Sequence, residues 1–230
     1  MSFPVLLLRM GSISCWCVGR DLEATPFDAL RSQDVERLSS RLGATRKPRE
    51  ARQVHGTTID ENGTSEACDA FLVGPGESAL VRHADCFPVV IADPFRSRAA
   101  LAHCGWRGTL AGLAGKCAER LVREGSRRGD LVAAIGAGIG PASFEVGQEV
   151  LQAFPEEFRS RTAWGTPSID LVAFLRHDLA SVGVSAIESL VPDTFMDTSW
   201  HSWRRDGSHS GRNATICIVG ATPSQPGESS

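Results

Sequence analysis

Two histidines and a cysteine, His55, Cys86 and His103, offer two imidazole nitrogens and one thiolate to a single ion. The intervals between them, 31 and 17 residues, are too long for a zinc finger or knuckle, whose ligands come in close pairs. They suit donors delivered by separate strand ends or loops. The set is borderline-soft, which favours Zn²⁺ and admits copper. Three protein ligands leave a fourth tetrahedral position for water or substrate, the catalytic pattern, and an ion so held brings water towards ionisation near neutral pH. Each residue alone also has a plainer reading. A buried cysteine is commonly packing, and His83, close to Cys86, stands either as a ligand in place of His55 or as a hydrogen-bonded neighbour.

Around these donors lie further groups with chemical potential. In His103-Cys104-Gly105-Trp106-Arg107-Gly108, the glycines permit close backbone approach, Trp106 is a rigid wall and Arg107 is a planar fork for phosphate or carboxylate. A helix starting there would add free N–H groups for an oxyanion; the alternative is a capping turn with a surface arginine. The turn Gly136-Ala137-Gly138-Ile139-Gly140-Pro141 lacks the lysine and hydroxyl of a phosphate-binding loop and the spacing of a dinucleotide fingerprint. It reads as a substrate-lining loop or as a plain tight turn. Arg204, Arg205 and Arg212, ahead of the last apolar run, form either an exposed basic loop or an anion-gripping edge.

The elements that must carry these groups follow from short apolar runs and their stops. Residues 4–18 predict two strands joined at Gly11, and Ser32–Leu42 a helix closed by Gly43. Residues 60–68 read as a surface loop. Ala70–Val73, Ala79–Val81, Pro88–Ala92, Arg98–Ala102 and Leu131–Ile135 read as buried strands. Leu110–Val122, Glu145–Phe154 and Asp170–Val182 read as helices, and Asn213–Val219 as a closing strand. Residues 221–230, rich in Pro, Ser and Gly, predict a disordered tail. No internal repeat or linker divides the chain, so one mixed domain over residues 1–220 is expected.

Composition sets the outer limits. The 230 residues can bury a sizeable core, and 42% hydrophobic with 22% charged residues is ordinary for a globular chain. A net charge of −3 advertises neither nucleic acid nor an anionic membrane. The first apolar stretch, Pro4–Leu8, is too short to span a membrane and lacks a signal-peptide pattern, so a cytoplasmic protein is expected. Seven cysteines without a short-spaced framework read as free thiols.

Taken in order, Gln53-Val54-His55-Gly56, Ala84-Asp85-Cys86-Phe87-Pro88, Ala102–Gly108, the Gly136–Pro141 turn with Phe144-Glu145-Val146-Gly147, and Arg204–Gly207 with Gly211-Arg212 closely resemble the YfiH/YlmD family. That is the laccase-domain or multicopper polyphenol oxidoreductase family, viewed as purine nucleoside phosphorylases, and the likeness runs from residue 9 to 219. The resemblance implies an α+β fold of layered mixed β-sheets flanked by helices, similar to the catalytic domain of cytotoxic necrotizing factors. It implies zinc on His55, Cys86 and His103, and a cytoplasmic enzyme acting on adenosine, inosine, guanosine or methylthioadenosine with phosphate, with adenosine deamination besides. The family's older reading is copper-dependent oxidation of phenols. Departures from its pattern include Arg82-His83 before Ala84, Ser143-Phe144 for a common Cys-Tyr pair, and Asp193-Thr194 for Cys-Thr.

On this reading Arg107, with Arg205 and Arg212, holds the phosphate that attacks C1′ of the ribose, and Asp85 is the candidate proton donor to the departing base. Two other chemistries compete. Cys86 could be a nucleophile with His103 as its base, as in a cysteine hydrolase or deamidase. Copper-dependent polyphenol oxidation across several centres needs about ten histidines, by the nitrogen-rich ligation copper prefers, and this chain has six. A non-enzymatic binding role is the remaining option.

Overall fold

The structure is a computed structural model that describes residues 4–22, 25–184, 186–190 and 192–221. The anticipated tail, apart from Ala221, lies outside the described residues. The first half of the chain runs β1 (Val5–Met10), β2 (Ile13–Val18), β3 (Asp21–Leu22), β4 (Thr25–Pro26), α1 (Ser32–Arg41), β5 (Ile59–Asp60), β6 (Ala70–Val73) and β7 (Ser78–His83). Next come β8 (Phe87–Asp93), β9 (Arg98–Cys104), α2 (Trp106–Leu110), α3 (Leu113–Arg123), β10 (Val132–Ile135) and α4 (Gln148–Ala153). The remainder is β11 (Arg159–Arg161), β12 (Pro167–Ile169), α5 (Leu171–Ser181), β13 (Ala186–Ser189), α6 (Trp203–Asp206) and β14 (Asn213–Val219).

An antiparallel four-stranded sheet has the order β1-β2-β14-β7, and a mixed six-stranded sheet the order β13-β10-β8-β9-β6-β5. In the latter the β5/β6 and β10/β13 pairs are parallel. Every residue of β8 is buried, because both faces of the larger sheet are covered. Val89, Ile91, Ala100 and Ala102 face Leu113, Cys117 and Leu121 of α3 and Leu175 and Leu179 of α5. The alternate residues Val90, Ala92, Ala99 and Leu101 face Cys15, Ala79, Val81 and Cys217 of the smaller sheet. The far side of that sheet packs through Leu80, Ala214 and Ile216 on Phe27 and on Val35 and Leu38 of α1. The α+β fold is therefore layered helix, sheet, sheet, helix. Each fully buried aliphatic side chain in these layers contributes about 1.5–3 kcal/mol.

Two anticipated helices differ from the expectation. The run Leu110–Val122 is split: α2 ends at Leu110, Gly112 takes φ +73°, and α3 starts afresh at Leu113. The left-handed glycine lets α3 turn onto α5, where Gly115 N–H donates to the Asp178 carboxylate at 2.8 Å. The run Glu145–Phe154 shortens to α4, because Glu145 bridges to Ser168 and Val146 N–H donates to the Pro167 carbonyl. No helix among the described residues is long and apolar enough to cross a membrane.

Candidate metal centre

The antiparallel pairing of β8 and β9 brings Cys86 and His103 together. Phe87 pairs with Cys104 and Pro88 with His103, so Cys86, just before β8, lies beside the end of β9. His55 arrives from a separate loop in the left-handed region, at φ +59°. One ligand atom from each of His55, Cys86 and His103 lies within 4.8 Å of the others. Tetrahedral zinc bonding brings such atoms to roughly 3.5 Å, by bond lengths of about 2.0–2.3 Å, so modest closure would seat an ion. The two imidazole rings meet edge-on with centroids 5.0 Å apart.

Gly105 is where the glycine matters. A Cβ there would come within 2.8 Å of His55 Cδ2 and 3.1 Å of Cys86 Sγ, so any side chain would enter the cluster. Behind the donors lies Asp69, fully buried at the entrance to β6. Its carboxylate faces His103 Nδ1 at 3.0 Å and accepts the backbone N–H groups of Val54, His55 and Gly56.

The electrostatics are those of a buried thiolate–imidazolium pair, which takes up a cation by releasing the imidazolium proton. Burial alone would push the Cys86 thiol up, but His103 and His55 outweigh it and bring it down to about 6. Burial would depress His103, yet the Cys86 thiolate and the Asp69 carboxylate raise it to about 9. Burial would likewise raise Asp69, but His103 and the backbone N–H groups hold it below the usual carboxylate range. His83 is different. Burial and the neighbouring His103 drive it to about 3, and its Nε2 lies 3.0 Å from Thr215 Oγ1. It is not part of the three-donor cluster.

A cavity of about 570 Å³ opens over the donors, the size of a small-metabolite site. Its walls include His83, Asp85, Ile139, Phe144 and Trp203, and four arginines, Arg52, Arg82, Arg204 and Arg212. The Arg204 guanidinium lies over the Phe144 ring at 5.5 Å and Arg212 over Trp203 at 5.2 Å. Arg82 is tied to Glu50 and to the Ala29 carbonyl, whereas Arg52 is exposed at the mouth.

The remaining candidates fall in other places. Arg107 is exposed, stacks on Trp106 at 4.2 Å and is not among the cavity-lining residues. Arg205 spends all five N–H donors internally, on the carbonyls of Thr194, Phe195 and Trp200 and on the Asp206 carboxylate. It is a staple of its loop, with no donor left for an anion. Asp85 lines the cavity, but one oxygen accepts from Thr194 Oγ1 at 2.8 Å and the other from Arg204 N–H at 2.7 Å. Both oxygens are thus engaged in tying the Thr194 and Arg204 segments to the cavity wall. The helix start after Gly105 is a five-residue turn rather than a long helix. The second glycine turn lends Ile139 to the cavity, while its glycines make room for core side chains.

Asp69 and Arg52 were not singled out by the sequence, and Arg82 only as a departure from the family pattern. Asp69 had one legible signal, an acid set against the apolar run of β6; Arg52 had its place three residues before His55.

Fold and site together define a class: a layered α+β protein with a candidate His–Cys–His metal centre at the floor of a small-metabolite cavity. Residues 29–220 match the family model described as multi-copper polyphenol oxidoreductase laccase, and the chain belongs to that family. A purine nucleoside phosphorylase of Pseudomonas aeruginosa is 32% identical over 214 residues, covering 83% of this chain and 86% of the relative. Adenosine deaminase RL5, from an unknown prokaryotic organism, is 33% identical over 214 residues, 82% of each chain. The crystal structure of YlmD from Geobacillus stearothermophilus superposes with a TM-score of 0.78 at 25% identity, covering 91% of this chain and 92% of that one.

Proposed function

We propose that this chain is a zinc-dependent purine nucleoside enzyme, cleaving nucleosides such as adenosine, inosine, guanosine or methylthioadenosine with phosphate and deaminating adenosine. The observation that carries the reading is the convergence of His55, Cys86 and His103 beneath a cavity edged by arginines and aromatic rings. Relatives about one-third identical, named purine nucleoside phosphorylase and adenosine deaminase, support it.

The donor set fits zinc: two nitrogens and a sulfur, the sulfur favoured as thiolate and His103 giving up a proton when an ion binds, with an open face towards the cavity. When bound there, zinc supplies Lewis acidity and water activation. The chain's own groups do the rest. Phe144 and Trp203 offer flat apolar faces on which a purine can stack. Arg52, Arg204 and Arg212 hold phosphate and offset its charge as a new O–C1′ bond forms and the bond from C1′ to the base nitrogen breaks. The base departs with the electron pair and takes up a proton. All seven cysteines are free thiols, in keeping with a reducing cytoplasm.

The test is elemental analysis of the purified chain paired with product detection on a nucleoside panel in phosphate buffer. Zinc near one per chain is expected, with free base and the matching pentose 1-phosphate as products of phosphorolysis and inosine with ammonia from adenosine deamination. A zinc-loaded chain that leaves every nucleoside unchanged overturns the reading.

One observation favours a second chemistry: the lowered Cys86 thiol beside a raised His103 is also the arrangement of a cysteine nucleophile and its base. Zinc protection of Cys86 from alkylation favours the first reading; rapid alkylation unaffected by zinc favours the second. Copper oxidation across several centres has little to stand on, since the described residues hold a single three-donor cluster.

A further inference from the structure

We propose that Asp69 is the positioning residue of this centre, one carboxylate that fixes both the tautomer of His103 and the placement of His55. The inference rests on the metal reading and concerns how the donors are held. Asp69 Oδ1 faces His103 Nδ1 at 3.0 Å and accepts His55 N–H at 2.9 Å. Asp69 Oδ2 accepts Val54 N–H at 3.1 Å and Gly56 N–H at 2.7 Å. A carboxylate offers about four lone-pair sites, and here four N–H groups fill them.

Two consequences follow. An acceptor so filled requires His103 to carry a hydrogen on Nδ1, so the proton that an incoming ion displaces is the one on Nε2, and coordination falls to that nitrogen. The Asp69 carbonyl also accepts the His103 backbone N–H at 2.7 Å, so one residue fixes both the main chain and the ring of that ligand. On the other side, His55 sits at φ +59°, a conformation a residue with a side chain rarely adopts. The consecutive N–H groups of residues 54–56 converge on the carboxylate as a nest converges on an anion. The loop that presents His55 is thus folded around the same charge that orients His103.

This geometry makes Asp69→Asn, although isosteric, unable to satisfy the site. With its single oxygen towards His103, the amide nitrogen opposes the Val54 and Gly56 N–H groups and the His55 loop loosens. Flipped, the amide donates to His103 Nδ1, and the tautomer left carries its hydrogen on Nε2, removing a donor. Either arrangement costs a ligand.

The experiment is a zinc titration of the metal-free full-length chain against a competing chelator, for wild type, Asp69→Asn and Asp60→Asn. Asp60 is the matched control, a buried carboxylate that also gathers three backbone N–H groups, those of Gly63, Thr64 and Ser65, without touching a donor. Asp69→Asn is expected to weaken zinc about 10–100-fold, as loss of a supporting carboxylate does; Asp60→Asn is expected to leave it within about threefold, since no donor moves. Equal weakening by both variants, or Asp69→Asn indistinguishable from wild type, overturns the inference while sparing the metal reading. A wild-type chain that takes up no zinc overturns both. If Asp69→Asn fails to fold, ¹⁵N spectra of zinc-loaded wild type labelled at histidine decide the matter: His103 protonated on Nδ1 and coordinated through Nε2 is expected, and the reverse assignment overturns it.

Discussion

The two walls of the cavity are built by opposite means. The donor wall is made from strand ends and buried backbone: His103 and Asp69 are at most 3% exposed, and a β8/β9 register places Cys86. The facing wall is made from surface side chains on short elements. Trp203 is 50% exposed on the four-residue α6, and Arg204 and Arg212 are steadied by lying over aromatic rings. His103 and Asp69 cannot move without opening the core, which suits a centre that must hold its geometry, whereas His55 stands exposed on its loop. The facing wall can change rotamers at little cost, which suits recognition of related ligands.

Substitutions that respect or cross this division test it. Replacing a donor should do most: His103→Ala should cost more than the roughly 10–100-fold in metal affinity that loss of a supporting partner costs, and nucleoside turnover should fall to background. Retained zinc by elemental analysis would break the comparison. Gly105→Ala should come next, because its Cβ would press on His55 and Cys86. Overpacking of this kind costs about 1–3 kcal/mol, and it should appear as weakened zinc binding with a modest fall in Tm.

Neighbouring arginines then separate stability from recognition. Arg205→Ala strips the carbonyls of Thr194, Phe195 and Trp200 of their donor and should lower stability by about 1–3 kcal/mol, read by thermal melting. Arg52→Ala should leave melting unchanged and raise the phosphate KM several-fold; the reverse pattern would exchange their roles. The smallest effect is a shift in pH. Thiolate is the reactive form, so alkylation of metal-free Cys86 should rise through about pH 6. Below that it should fall about tenfold per unit. Cys17, pushed up by burial to about 11, and Cys117, to about 12, should stay unreactive over the same range.

Much of the donor wall is readable in the amino-acid order, and little of the facing one. The inner strands of the larger sheet, β6, β8, β9 and β10, announce themselves as apolar runs, because a strand covered on both faces has no reason to alternate, whereas its edge strands β5 and β13 do not. The donors stand out because histidine and cysteine are scarce in the chain. Asp69 does not, since its partners are backbone N–H groups 13 to 15 residues earlier, which no local pattern records. The two glycine turns look alike in sequence, yet Gly105 clears space for the donors whereas Gly138 clears it for the Phe87 ring. Arg204 and Arg205 are adjacent and chemically identical, and only the path of the chain sends one over Phe144 and the other into its own loop. The break at Gly112 is hidden inside a helical pattern because α3 bends to meet a residue more than 60 positions away.

Asp85 gives the two walls a mechanical link. Its carboxylate grips the amide of Arg204, and its own backbone, at φ +86°, leads directly into Cys86. Rotamer changes of the arginine leave that tie intact, because it is made to the main chain; only a shift of the Arg204 backbone would reach the peptide bearing the sulfur.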